Sequence, residues 1–323
     1  MCEMIFWRLL VTSEIHAVTG AFGYSGKYIA KRLLSIGKTV ITLTNSPNRE
    51  NEFKGAVKAF PFNFDCHTKL VENLRGVTVL YCTYWVRFNH KTFKHSTAVD
   101  NLLRLFSAAK EAGVQRLVHV SITNPSKESH LEYFSGKAVV EEALIKSGIS
   151  YCILRPTVLF GKEDILINNI AWAVRRFPIL GIFGDGKYKL QPIFVEDLAE
   201  VAVQKGAERR NEIVDAIGPE TFEYRKLVGE VARALGLKRL IVPVPPLVVY
   251  LVGKMIGWWV DDVMVTKEEI DGLMENLLFT KSPPLGKTKL SSWLLENAAT
   301  IGVKYASELG RRKNTTSSYE KIV

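Results

Sequence analysis

The sequence predicts a doubly wound parallel α/β sheet with a smaller mixed α/β C-terminal portion. Three observations carry this. Short β-rich runs alternate with helical periodicity through the first half. Those runs are continuously apolar instead of alternating. A glycine-rich turn stands between the first run and the first helix. Strands that are apolar on both sides and separated by helices belong to a parallel sheet covered on both faces.

The elements follow in order. Residues 15–19 read as a strand and 25–35 as a helix that Gly37 ends. Residues 39–44 are rich in β-branched side chains and stop at the turn cluster Asn45-Ser46-Pro47. Residues 57–61 form a third strand, 68–74 a short helix and 77–83 a fourth strand. A long helix over 95–112 is stopped by Gly113, and 116–122 is a fifth strand. A helix over 133–147 ends at Gly148, and 151–155 is a sixth strand. Beyond Phe160 the pattern loosens. Helices are expected over 165–176 and 221–235, and a strand over 213–217. Thr266-Lys267-Glu268-Glu269 is a capping box that opens a helix toward Leu278.

At 323 residues the chain has room for about two domains. Its 47% hydrophobic and 24% charged residues exclude disorder over the whole length. Cys2, Cys66, Cys82 and Cys152 show no paired spacing of the zinc or redox type, so neither a metal site nor a disulfide scaffold is expected. No run of about 18 apolar residues predicts a spanning helix. The short run Met4 to Leu10 is broken by Arg8 and is not read as a signal peptide. A reducing, cytoplasmic setting is the expectation. The net charge is +10, and residues 1–160 hold 20 basic and 12 acidic residues, or +8 of it. The positive charge is dispersed, which argues against nucleic-acid binding.

Thr19-Gly20-Ala21-Phe22-Gly23-Tyr24-Ser25-Gly26 has glycines at G-x-x-G-x-x-G spacing, after a strand and opening a helix. A tight turn, a close backbone approach and free N–H groups at a helix start suit a dinucleotide pyrophosphate. Where an acid would meet a free ribose 2′-hydroxyl, the chain has Asn45, Ser46, Asn48 and Arg49. Arg49 can pair with a 2′-phosphate, so NADP(H) is favoured over NAD(H), with a merely solvated Arg49 as the alternative. Asp65 either contacts the adenine amino group or caps the next helix.

Tyr133 and Lys137 stand at i and i+4, one turn apart on one helix face. An adjacent ammonium stabilises phenolate, so the pair suits acid–base work alongside hydride transfer. Thr123, at the end of the fifth strand, is the hydroxyl partner expected to hold the substrate oxygen, with Ser121 as the alternative. Tyr84, Trp85 and Arg87 follow the fourth strand on the ligand-binding edge, where anchoring a loop explains them equally well. Asn168, Asn169 and Gln191 are weaker candidates for facing a substrate.

Residues 247–260, from Leu247 to Val260, are apolar all round apart from Lys254 and include Trp258-Trp259. A buried or lid helix is the first reading, and a helix lying in a membrane interface the second, with a lipid-like or quinone-like substrate then in view. The corresponding location is cytoplasmic or peripheral to the inner membrane. No oligomeric state is assigned.

In order, Gly20/Gly23/Gly26, Asp65, Thr83, Thr123, Tyr133-x-x-x-Lys137, Leu154-Arg155-Pro156-Thr157-Val158-Leu159-Phe160-Gly161 and Gln191–Ala199 resemble the extended or atypical short-chain dehydrogenase/reductases. This is the NAD-dependent epimerase/dehydratase group. Phe160–Asp164 and Gly181–Ala199 are most similar to the branch holding the 39 kDa accessory subunit of respiratory complex I and its bacterial relatives. The resemblance implies a Rossmann-type domain over 1–161, its sheet completed by 191–200 and 213–217. A substrate or lid portion would cover most of 162–310, with a frayed tail over 311–323. It implies that Phe22 and Tyr24, Ser25 and Gly26 line the pyrophosphate. Thr83 and Tyr84 would flank the adenosine and nicotinamide ribose, Lys137 would bond that ribose, and Pro156 to Val158 would border the carboxamide. The activity implied is that of an oxidoreductase or epimerase/dehydratase. In the complex I branch the fold holds a nucleotide without known turnover, which implies the alternative of a non-catalytic accessory protein. Only ten positions separate Thr123 from Tyr133, fewer than in sugar-nucleotide epimerases.

Overall fold

The structure is a computed structural model that describes residues 14–322. The run from Met4 to Leu10 and Cys2 lie outside the described residues. The first half alternates as its sequence predicts. Ile15–Thr19 (β1), Tyr24–Ser35 (α1), Thr39–Thr44 (β2), Val57–Pro61 (β3), His67–Leu74 (α2) and Val77–Cys82 (β4) are followed by His95–Glu111 (α3), Arg116–Val120 (β5), Glu132–Ser147 (α4) and Ser150–Pro156 (β6). The second half runs Leu159–Phe160 (β7), Leu166–Arg176 (α5), Ile179–Phe183 (β8), Lys189–Leu190 (β9), Ile193–Phe194 (β10), Val195–Ala207 (α6), Glu212–Ala216 (β11), Phe222–Glu223 (β12) and Tyr224–Ala234 (α7). Leu240–Val244 (β13), Pro246–Trp259 (α8), Lys267–Met274 (α9), Leu290–Glu296 (α10), Glu308–Lys313 (α11) and Tyr319–Ile322 (α12) complete it.

The main sheet has seven parallel strands in the order β11-β6-β5-β4-β1-β2-β3. The strand order reverses between β1 and β4, and ligands bind in such sheets at that switch point, outside the carboxyl ends. Both faces are buried. Val18, Val79 and Val118 face α1 and α6, whereas Ala17, Leu80 and Leu117 face α2, α3 and α4. A third cluster built on α5, β8, α7, α9 and α10 is the core of the C-terminal portion.

Two boundaries differ from expectation. Residues 191–200 do not complete the sheet, because β10 pairs only with β7 and the chain then enters α6. Strand β11 alone adds the seventh strand. Helix α9 ends at Met274, short of Leu278, where Asn276 takes φ 57° and the helix cannot continue through that left-handed residue.

Candidate functional site

The glycine-rich turn has one workable local shape. Gly20 sits at φ +66°, its N–H donating to the Leu43 carbonyl at 2.8 Å. A Cβ at Gly26 would lie 2.4 Å from the Gly20 oxygen, so α1 packs this close to β1 only with glycine there. The α1 N-terminus has no side-chain cap and no acid in its first turn, which leaves its leading N–H groups for an anion. Tyr24 opens α1 with a buried hydroxyl that has no partner, and burial pushes its phenol well above its ordinary pKa. Ser25 is half-buried beside it. Phe22 itself is buried against Phe53, so only its backbone is available on this rim. Thr83 is tied to the same turn, its N–H donating to the Thr19 hydroxyl at 2.8 Å and its own hydroxyl to the Thr19 carbonyl at 2.6 Å. The uncapped helix and the glycine cradle fit a dinucleotide pyrophosphate, whereas the Tyr24 hydroxyl is buried beside Gly161 and the Asp164 carboxyl.

The tail corrects the sequence reading. From 311 to 322 it packs over this rim instead of fraying. Arg49 is the anchor. Its guanidinium donates to the carbonyls of Ser317 at 2.6 Å, Asn314 at 2.7 Å and Arg311 at 3.1 Å. Arg49 is thus neither solvated nor held out for a 2′-phosphate. Tyr319 stacks between Arg49 and Arg311, and its hydroxyl would lie 3.7 Å from a Cβ on Gly23. Lys27 bonds Glu320, and Lys321 bonds Glu50 at 2.7 Å. Periodicity carries no trace of this, because a buried arginine pairing with distant carbonyls leaves no local pattern. Asn45 is exposed at the end of β2. Asp65 is exposed too, and it does not cap α2, whose cap position is Cys66 with no side-chain bond.

Around α4 the expected constellation is rearranged. Lys137 is 2% exposed and donates to the Val120 carbonyl at 2.8 Å, with its ammonium 4.3 Å from the Trp85 ring centre. Burial pulls it down to about 7. Tyr133 packs edge-on against Trp85 and His95, and burial holds its phenol above its ordinary value, with Arg87 pulling the other way. The ammonium is therefore not stabilising a phenolate in this arrangement. Thr123 also departs from expectation, since its hydroxyl donates to the Leu277 carbonyl at 2.9 Å and fastens the segment after α9. The buried Ser121 hydroxyl has no partner, which leaves it as the free hydroxyl at this strand end.

Tyr84 anchors its loop, with its hydroxyl accepting from Asn101 at 2.8 Å and its ring packed on Phe62 and Phe64. Arg87 pairs with Glu269 at 2.6 Å and so ties the loop after β4 to α9. Asn168 bonds backbone and Asp164, and the Gln191 side chain bonds Thr221 and the Thr280 N–H, away from the cavity lining; Asn169 bonds the Ala306 backbone and also lines the cavity at the sheet's carboxyl edge. Pro156 closes β6 opposite Ala216. Val158 stands beyond it at the mouth of a large cavity.

That cavity, about 720 Å³, lies between the sheet's carboxyl edge and the C-terminal portion, bounded by α5, β8, α8 and α9. Tyr133, Ile122 and Val158 form its sheet-side wall, and apolar side chains dominate the rest. Its few charged groups are Arg87, Glu268 and Glu269. The size is ordinary for a small-molecule site. The helix read first as a buried or lid helix lines the cavity on one side but is not buried. Only Gly253 and Gly257 of α8 are buried, while Met255, Trp258 and Trp259 are 72%, 88% and 67% exposed. Among the described residues no helix is long and apolar enough to cross a membrane, and no cluster of metal-ligating side chains occurs.

Comparison with known proteins agrees with this geometry. A family model described as NAD(P)H-binding matches residues 20–169. The mitochondrial NADH dehydrogenase (ubiquinone) 1 alpha subcomplex subunit 9 of Mus musculus is 28% identical over 298 residues, covering 82% of this chain and 72% of its own length. The subunit of the same name from Arabidopsis thaliana is 24% identical, covering 68% of this chain but 58% of itself. The chain thus spans little more than half of that relative. Among solved structures, a nucleoside-diphosphate-sugar epimerase from Staphylococcus aureus superimposes with TM-score 0.70 at 16% identity, over 87% of this chain and 99% of that one. A Citrobacter sp. triphenylmethane reductase complexed with NADP(H) gives TM-score 0.69 at 17% identity, over 88% and 99%.

Proposed function

We propose that this chain, an NAD(P)-binding Rossmann protein of the short-chain dehydrogenase/reductase and epimerase type, is an oxidoreductase acting on an apolar carbonyl or alcohol substrate. One observation carries the reading. Tyr133 and Val158, at the edge where the nicotinamide end of a dinucleotide belongs, both face the same large apolar cavity. That cavity suits a reductase better than a sugar-nucleotide epimerase, whose charged diphosphate would need cations that the lining does not supply. NADP(H) remains favoured over NAD(H), and the support is now narrower. It rests on Asn45 standing where an acid would hold a free 2′-hydroxyl, and no longer on Arg49.

The bound dinucleotide would supply or accept the hydride. The chain's part follows from its geometry. The uncapped N–H groups of α1 hold the pyrophosphate. Tyr133 Oη, kept protonated by burial, gives its proton to the carbonyl oxygen as that oxygen gains negative charge, and takes it back in the oxidative direction. Thr123 is committed to the Leu277 carbonyl and Ser121 is buried away from the cavity lining, so Tyr133 is the hydroxyl that meets the oxygen. Lys137, held on the Val120 carbonyl under Trp85, takes no part in the proton transfer in this arrangement. The apolar walls exclude water from the transfer.

A second reading has its own support. The Lys137 ammonium and Thr123 hydroxyl are both committed to backbone carbonyls, and relatives of the chain are NADH dehydrogenase subunits. On that reading the chain is a dinucleotide-binding accessory protein, peripheral to a membrane through α8. Tyr133→Phe separates the two. The first reading expects loss of carbonyl-dependent NADPH oxidation with NADPH affinity nearly unchanged. Unchanged turnover in the variant, or cofactor binding without turnover on any carbonyl in a broad panel, removes it in favour of the second.

A further inference from the structure

The exposed helix and the cavity share one wall. Val249, Val252 and Ile256 of α8 line the cavity, while Leu251, Met255 and Trp258 project outward and are 51%, 72% and 88% exposed. A run of exposed apolar side chains along one helix face marks a surface that meets a partner or a membrane. The outer face ends in the pair Trp258-Trp259, and Lys254 lies along it with its ammonium 4.8 Å from the Tyr250 ring centre. Paired tryptophans and a long cation on a short apolar helix suit the headgroup level of a bilayer. With 14 residues α8 is too short to span, so it would lie in the plane of one leaflet. The exposed Ile179 of β8, against which α8 packs, extends the apolar surface and also lines the cavity.

The part of the lining around Arg87 is chemically different. Arg87 pairs with Glu269, so the two charges cancel, yet Arg87 Nη1 is buried with no hydrogen-bond partner. A buried donor without an acceptor is costly, and a ligand oxygen would relieve it. Glu268 lines the cavity as well, so no positive charge is left over there and a neutral carbonyl suits it better than a carboxylate. Tyr133 lines the same cavity.

Resting on the oxidoreductase reading above, we propose that the cavity takes a long-chain or isoprenoid-like lipid with a neutral carbonyl head, drawn from a bilayer leaflet in which α8 is embedded. The chain lies along the apolar walls beneath α8 and the head reaches Arg87 and Tyr133. Helix α8 then serves as both membrane contact and door.

The test uses the full chain with cis-parinaric acid methyl ester, a fluorescent single-chain ester with a carbonyl head. Vesicles are phosphatidylcholine with about a quarter phosphatidylglycerol, to attract a basic protein. Ala173→Phe and Val252→Trp fill the cavity from two helices, and the half-exposed Val252 site tolerates the larger ring without disturbing the core. Both are expected to weaken ester binding about tenfold or more, with NADPH binding and vesicle flotation retained. Met255→Ser/Trp258→Ser alters only the outer face. It is expected to lower vesicle flotation about tenfold or more and to slow ester transfer from vesicles, while leaving ester binding from solution unchanged. Ester binding absent in the wild type, or insensitive to both cavity variants, with NADPH binding intact overturns the lipid site. Flotation equal in the wild type and the outer-face variant overturns the membrane contact. Loss of NADPH binding in the wild type would instead remove the reading beneath both.

Discussion

Replacing Arg49 with methionine probes the least expected contact in the molecule. Methionine keeps the aliphatic stem and removes three donors, at 2.6, 2.7 and 3.1 Å from the carbonyls of Ser317, Asn314 and Arg311. Hydrogen bonds to charged groups each contribute about 1.5–3 kcal/mol, but these three act on one segment and two of the freed carbonyls are only part-buried, so a net loss of about 2–4 kcal/mol is expected. That raises the opening equilibrium of the tail roughly 30- to 1,000-fold without unfolding the sheet. Amide hydrogen exchange over residues 314–322 reads the opening directly, and tryptic cleavage after Lys313 gives a second readout. The NADPH-to-NADH affinity ratio should not change, because Arg49 serves the tail. Exchange of the tail within about threefold of the wild type would refute the anchoring argument. A selective loss of NADPH affinity would refute the reassignment of Arg49.

Three further outcomes follow from the geometry. Gly26→Ala puts a Cβ 2.4 Å from the Gly20 oxygen, so melting should show a loss of about 1–3 kcal/mol and NADPH fluorescence titration a matching loss of affinity. Lys137 has its folded-state pKa lowered to about 7 from 10.5, so between those values the unfolded chain holds more protons and stability rises with pH. Lys137→Met does not titrate, so its melting temperature relative to the wild type should be highest below pH 7 and fall steadily as pH rises toward 10; a constant difference would argue against a buried charge. Thr123→Val removes the bond to the Leu277 carbonyl and should destabilise the protein by about 1 kcal/mol with faster exchange near residues 275–280, whereas Ser121→Ala should leave stability nearly unchanged.

Much of the first half was legible in the chain because its signals are local. Continuous apolar strands, glycine stops at Gly37, Gly113 and Gly148, and the G-x-x-G-x-x-G turn each act within a few residues. They placed the switch point and the glycine turn beside it. The role of residues 191–200 was misread because a short apolar run before a helix looks the same whether it joins the main sheet or pairs only with β7. Tyr133 and Lys137 share a helix as their spacing requires, yet spacing cannot say which backbone oxygen a buried lysine will reach.

Sequence by itself determined the parallel α/β scaffold, the glycine turn and the excess of positive charge in residues 1–160. Tertiary structure decided what those parts touch. It turned Arg49 onto the tail, engaged Thr123 with Leu277, sank Lys137 under Trp85 and left α8 facing outward over an apolar cavity. The physical reason is range. Backbone sterics and periodicity are set by neighbours in sequence, whereas hydrogen-bond partners and burial are set by residues that only the folded chain brings together.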